Sequence, residues 1–204
     1  MSEHRPIILA SSSQWRLKLL TDAGIQATAQ SADINEYDIL GTDPIDIALN
    51  RSSAKALNVA KSNPQSLVIG ADQVVYRNGI LFEKPKSVSE WRHRLLAFRG
   101  QAHQLSTAVT IVQNGMLDQF VETTQVYFRA EINESHIDAY IAHGEAWGCA
   151  GGYMMEGHGA WLIERIDGDW QNVIGLPIFP LISRLYQLGY RYPQTAPNST
   201  SKSL

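Results

Sequence analysis

Leu67-Val68-Ile69-Gly70-Ala71 is a buried-strand signal that runs without a break into Asp72, and this adjacency limits what the chain can fold into. Beyond it, Gln73 to Tyr76, the turn pair Asn78-Gly79 and Ile80 to Phe82 read as a hairpin. Asp72 is thereby placed in an otherwise apolar sheet region, where a carboxylate is costly unless something cationic compensates it. A lysine or a bound metal is expected beside it. The plainer alternative, a strand-end carboxylate capping a turn, fits the spacing as well.

The rest of the chain supplies elements to pack around such a strand. Ile7 to Ala10 is a short apolar strand, followed by Ser11, Ser12, Ser13 and a helical stretch from Gln14 to Ala23 that Gly24 ends. A strand, serine turn and helix start present free N–H groups and hydroxyls at a positive dipole end, where phosphate binds, with Arg16 in the first turn. Simple capping by Ser13 explains the same residues. Asp43-Pro44 opens a second helix with Ile45, Ala48, Leu49, Ser52, Ala56 and Ala60 along one face, and Asn63-Pro64 stops it. Ser89 to Phe98 is a third helix, His103 to Val112 a strand, Asn114-Gly115 a turn, and Met116 to Arg129 one long strand or two. Asn133 to His143 reads as a helix closed by Gly144, Ala160 to Ile166 as a strand, and Ile178 to Leu188 as the last helix. Hairpins mixed with crossover helices predict an α/β fold with a mixed β-sheet and flanking helices. With no repeat and no linker, residues 1–192 are expected to form one folding unit, and the Pro/Ser-rich 193–204 a disordered tail.

Charge narrows the partners. A formal net charge of −3 argues against binding along a nucleic-acid backbone, which needs clustered Lys and Arg. A small anion needs only a few local cations and, if it is a polyphosphate, a metal held by carboxylates. No apolar run approaches the roughly 20 residues of a membrane span, and no export signal is read at the N-terminus. The single cysteine, Cys149, excludes an internal disulfide framework, so the cytoplasm is the expected compartment. Cys149 lies in a glycine-rich stretch, Gly148 to Gly159, that suits either close approach of backbone to a ligand or a tight structural corner. Neither His103 nor His158 sits in a His/Cys spacing that signals zinc, so both read as hydrogen-bonded structural histidines. Cys149 has no identifiable histidine partner and reads as packed, not as a nucleophile.

Taken in order, Leu-Ala-Ser-Ser-Ser-Gln-Trp-Arg at 9–16, Asp-Ile-Asn-Glu at 33–36, Gly-Ala-Asp-Gln at 70–73 and Lys84-Pro85 form a chain-long pattern. It continues through Gly100, His103 and Thr107, Cys-Ala-Gly-Gly-Tyr at 149–153, Glu156-Gly157 and Asn-Val-Ile-Gly-Leu-Pro at 172–177. From Ile7 to about Tyr190 the sequence resembles the Maf proteins, house-cleaning nucleotide pyrophosphatases also described as septum-formation inhibitors. The resemblance implies an elongated mixed α/β fold shared with inosine-triphosphate pyrophosphatases, a deep cleft between two lobes, and often a homodimer. It implies a nucleoside triphosphate as substrate, with Mg²⁺ or Mn²⁺ as cofactor. By position Asp72 matches the family's catalytic acidic residue, Ser11, Ser13 and Arg16 its phosphate-binding start, and Glu36, Lys55 and Lys84 other polar residues of the cleft. Glu36 and Asp72 would hold the metal. Whether Asp72 takes the water's proton or only positions metal stays open, because both roles put a carboxylate in the same place.

Within the family the chain is more similar to the branch that hydrolyses 7-methyl-GTP than to the branch acting on dTTP and UTP. Trp15 stands where the pyrimidine branch has arginine, Gln73 where it has threonine, Glu156 where it has glutamine and Cys149 where it has lysine. A tryptophan face or a carboxylate suits a 7-methylguanine ring, which carries positive charge. Two positions depart from the family pattern: Gln14 replaces a usual proline, and Asn35 an acidic residue beside Glu36, a lost charge that Asp33 is positioned to restore. The alternatives are a dTTP/UTP pyrophosphatase and a nucleotide-binding regulator of cell division that turns nothing over.

Overall fold

The computed structural model describes residues 5–192, and the expected tail at 193–204 lies outside them. Seven strands form one mixed sheet in the order β2-β1-β3-β5-β6-β7, with β4 paired to β3. They are β1 (Ile7–Leu9), β2 (Ala27–Ala29), β3 (Leu67–Arg77), β4 (Ile80–Phe82), β5 (Ala102–Gln113), β6 (Met116–Phe128) and β7 (Ile163–Asp167). β1 runs parallel to β2 and β3, and the remaining pairs are antiparallel. The helices are α1 (Gln14–Asp22), α2 (Pro44–Ser62), α3 (Val88–Phe98), α4 (Glu134–His143), α5 (Trp170–Ile174) and α6 (Ile178–Gln187). The mixed α/β architecture is as expected. Among the described residues no helix is long and apolar enough to cross a membrane.

Strand alternation assigns the two faces of β3. Leu67, Ile69 and Ala71 pack with Leu19 and Leu20 of α1 and Leu181 and Leu185 of α6. Val68, on the other face, packs with Ala56 and Val59 of α2, and Val74 and Tyr76 pack with Ala48 of the same helix. Gly70 belongs to this second face and makes the contact unusually close. A Cβ there would stand 2.3 Å from the Ser52 carbonyl oxygen and 2.8 Å from the Ala56 nitrogen. Glycine therefore lets α2 lie directly on the strand. A second core, around Trp91, Leu95, Phe98, Phe128 and Ile137, joins α3 and α4 to the far end of the sheet.

Local chemistry explains where the elements begin and end. Asp43 caps α2 by accepting the Asp46 N–H, with Pro44 at the first helical position. Asn133 and His136 form a reciprocal capping box on α4, which Gly144 closes in the left-handed conformation at φ 78°.

Two readings are corrected, and two elements were not foreseen. The strand-end alternative for Asp72 is excluded, because β3 runs through it to Arg77, with Asp72 opposite Ala108 of β5. The carboxylate is accommodated by a partner from α2, so the ladder need not break. Ala160 to Leu162 belongs to a 3-10 turn over His158–Leu162, and the strand starts only at Ile163. The close fit of Gly159, whose Cβ would lie 2.4 Å from the Met154 carbonyl oxygen, marks this corner. α5 was not expected, because five residues are too short for a periodic pattern; Asp169 caps it through the N–H groups of Gln171 and Asn172. β2 was also missed, since two of its three residues are exposed and carry no apolar alternation.

Candidate active site

The carboxyl end of β1, the middle of β3, one face of α2 and the glycine-rich segment surround a cleft of about 620 Å³. Every residue singled out from the sequence as a site candidate lines it: Ser11, Ser13, Trp15, Arg16, Glu36, Lys55, Asp72, Gln73, Lys84 and Glu156, with Cys149 beside them. Asp33 lies outside the cleft lining, so it does not supply there the charge missing at Asn35. Asn35 itself caps a short 3-10 turn over Glu36–Asp38 by accepting the Tyr37 N–H, and donates to Asp38.

Lys55 organises the centre. Its residue is 7% exposed, and its Nζ donates to Asp72 Oδ1 at 2.7 Å while lying 3.2 Å from Glu36 Oε1. The close packing of α2 at Gly70 brings Lys55 to this position, because Gly70 and Asp72 share one face of β3. Asp72 is 5% exposed. Its second oxygen, Oδ2, is buried and has no hydrogen-bond partner among the described residues. An unpaired buried carboxylate oxygen, with a second carboxylate on the same lysine, is the donor chemistry of a hard divalent cation, and Asp72 and Glu36 fit such an ion.

Arg16 is anchored rather than free. Its Nε donates to the Gly175 carbonyl at 2.8 Å and one Nη to the Ala71 carbonyl at 3.0 Å, tying α1 to β3 and to the segment before α6. Burial pulls its pKa below the usual arginine value, against the opposing charges of Asp72 and Glu36. The serine turn caps the helix as the plainer reading has it, and it also faces the cleft. Ser13 caps α1 by accepting the Arg16 N–H at 3.4 Å, Ser11 Oγ accepts the Ser13 N–H at 3.1 Å, and both residues border the cleft.

Gln73 is committed to the protein, with its amide donating to the Asn172 carbonyl at 2.6 Å and to Thr107 Oγ1 at 3.2 Å. Trp15 is 42% exposed. Burial pushes the Cys149 thiol above its usual pKa, the charge of Glu156 adds to this, and Lys84 acts against it. A thiol held protonated is a poor nucleophile, in keeping with its reading as a packed residue. His103 is structural as expected: it is 1% exposed, stacks on Phe98 with ring centroids 3.8 Å apart, and pairs with the Tyr153 hydroxyl at 2.7 Å. His158 is instead exposed and lies against His143.

Two cleft residues went unnoticed in the sequence. Arg51 donates to the Glu36 carbonyl at 3.0 Å and lies 3.6 Å from Glu83. Its signal was its position four residues before Lys55, which puts both cations on one helix face. Trp147, 53% exposed, stands edge-on to the buried Trp91 at 5.8 Å. No sequence pattern marked it, because only the fold of the glycine-rich segment turns it toward the cleft.

Comparison with known proteins matches the family model described as Maf-like protein to residues 6–188. The chain is 36% identical over 192 residues to the 7-methyl-GTP pyrophosphatase of Rhizobium meliloti (strain 1021), covering 90% of this chain and 96% of the relative. It is 39% identical over 190 residues to the nucleoside triphosphate pyrophosphatase of Synechococcus sp. (strain JA-2-3B'a(2-13)), covering 91% and 95%. It is 36% identical over 187 residues to the dTTP/UTP pyrophosphatase of Pyrococcus furiosus, covering 92% and 97%. Among solved structures, the Staphylococcus aureus Ham1 protein aligns with 62% of this chain and 73% of its own at TM-score 0.43 and 17% identity.

Proposed function

This chain belongs to the family of Maf-like proteins, and from that premise we propose that it hydrolyses a nucleoside triphosphate to the monophosphate and pyrophosphate. The observation that carries the reading is Asp72. One of its oxygens is held by Lys55, the other is buried without a hydrogen-bond partner among the described residues, and the residue lines a cleft bordered also by Arg16 and Lys84. A binding protein gains nothing from a desolvated carboxylate near an incoming polyanion, whereas a hydrolase needs one to handle water.

A triphosphate repels a nucleophile until its charge is offset. Arg16, Lys55 and Lys84 supply that offset, and Ser11, Ser13 and the free N–H groups at the start of α1 seat the phosphate oxygens. Asp72 Oδ2 orients a water toward the α-phosphorus. As the new P–O bond forms, the bond from the α-phosphorus to the bridging oxygen breaks, pyrophosphate departs and the water's proton passes to Asp72 or to solvent. Asp72 and Glu36 would hold Mg²⁺ or Mn²⁺, which when bound supplies further neutralisation of the phosphate oxygens. Lys55 holds Asp72 in orientation through its 2.7 Å contact.

Among nucleotides, the residues favour a 7-methyl-GTP-like base. Trp15 offers an aromatic face and Glu156 a carboxylate in the lining of the cleft, both suited to a cationic purine ring. A pyrophosphate-release assay with Mn²⁺ and a nucleotide panel tests both levels. No turnover with any nucleotide removes the enzyme reading, and preference for dTTP or UTP over 7-methyl-GTP removes the purine reading while leaving the reaction intact.

A further inference from the structure

His143 is the last residue of α4, Glu145 follows the glycine that closes it, and His158 opens the 3-10 turn at 158–162. One ligand atom from each lies within 4.8 Å of the other two. The two imidazole rings have centroids 3.7 Å apart and are tilted by 36°, and His143 Nδ1 is 3.8 Å from Glu145 Oε2. Glu145 is held in place. Its Oε1 accepts the Gly159 N–H at 3.0 Å, and a Cβ at Gly157 would stand 2.7 Å from Oε2, so the carboxylate fits closely against this glycine. One oxygen is thus fixed by backbone and the other faces an imidazole, the way outer hydrogen bonds orient a metal ligand. Both histidines line a separate groove with Trp161 and Tyr140, while Glu145 also borders the main cleft.

We propose that His143, Glu145 and His158 form a binding site for a zinc-class divalent transition metal, separate from the carboxylate site at Asp72. Two imidazole nitrogens and one carboxylate oxygen suit zinc, cobalt or nickel, whereas magnesium prefers oxygen ligands. Bonds of about 2.0–2.2 Å require the three ligand atoms to draw closer together, and rotation of the two exposed histidine side chains accomplishes this. The carboxyl end of α4 adds a favourable dipole for a cation. A metal here pins both ends of the segment 144–158, which carries Trp147, Cys149 and Glu156 into the cleft. Its occupancy sets the position of that wall.

The test is a Co²⁺ titration of the full chain under saturating Mg²⁺, read by the visible ligand-field spectrum, with Zn²⁺-induced thermal shifts alongside. One equivalent of Co²⁺ is expected to bind. His143→Ala/His158→Ala should lower affinity by at least about tenfold and abolish the thermal shift. Glu145→Gln, which keeps an acceptor for the Gly159 N–H, should weaken binding too, whereas Asp72→Asn should leave it unchanged. Circular dichroism identical to wild type establishes that the variants are folded. Absence of binding, binding unchanged in the double-histidine variant, or binding lost in Asp72→Asn overturns the proposal.

Discussion

Removing Lys55 and removing the charge of Asp72 should have opposite balances of effect on stability and activity, although the two side chains form one contact. In the metal-free protein Asp72 Oδ1 has Lys55 at 2.7 Å and Oδ2 has no partner among the described residues, so Lys55→Met leaves a buried carboxylate without its cation. Breaking a buried pair from one side costs about 3–5 kcal/mol. For a domain of this size 1 kcal/mol corresponds to roughly 2–4 °C, so the midpoint should fall by about 6 °C or more. Asp72→Asn is milder. Lys55 keeps Glu36 at 3.2 Å, and the amide keeps the carboxylate's shape, so the expected loss is below about 1.5 kcal/mol. Lys55→Met/Asp72→Asn should then be more stable than Lys55→Met alone. Activity runs differently: Asp72→Asn should lower turnover at least about a hundredfold, and the double variant should not regain it. Urea denaturation in EDTA gives the stabilities and pyrophosphate release the rates. If Lys55→Met unfolds within about 1 kcal/mol of wild type, or Asp72→Asn turns over at a near-normal rate, the reasoning fails.

Gly70→Ala should force α2 off β3, costing about 1–3 kcal/mol and lowering turnover by withdrawing Lys55; denaturation midpoints and rates check this, and an unchanged protein would show the helix has slack. Burial, reinforced by Arg77 and Arg94, lowers the His103 pKa from 6.5 to about 3. The folded state therefore prefers neutral His103, its contribution is full above pH 6.5, and it fades as pH falls toward 3. His103→Gln should flatten the pH dependence of the urea midpoint across that window, and an unaltered slope would assign it to other groups. Glu156→Gln should shift the ratio of kcat/KM for 7-methyl-GTP over UTP about tenfold toward UTP, equivalent to about 1.4 kcal/mol; equal loss on both nucleotides would argue against a role in base selection.

Much of the fold was legible because its signals are local. The caps Asp43, Asn133 and Gly144, the turns Asn78-Gly79 and Asn114-Gly115, and the apolar run before Asp72 each act over a few residues, so the sequence alone places most elements. What it could not reveal depends on contacts between distant segments. That the cation beside Asp72 is Lys55 emerges only when α2 packs on β3, and the missed β2 and α5 are too short to carry a period. The site shows the same division. The residues' own pattern pointed to Ser11, Arg16 and Asp72, and the resemblance to the Maf proteins added Glu36, Lys55 and Lys84; all six line the cleft. Only tertiary structure decided that Arg16 is tied to Gly175, that Gln73 is committed to Asn172, and that His143, Glu145 and His158 meet. The physical reason is that side-chain chemistry is written residue by residue, whereas burial, partnership and spacing exist only after helices and strands have packed together.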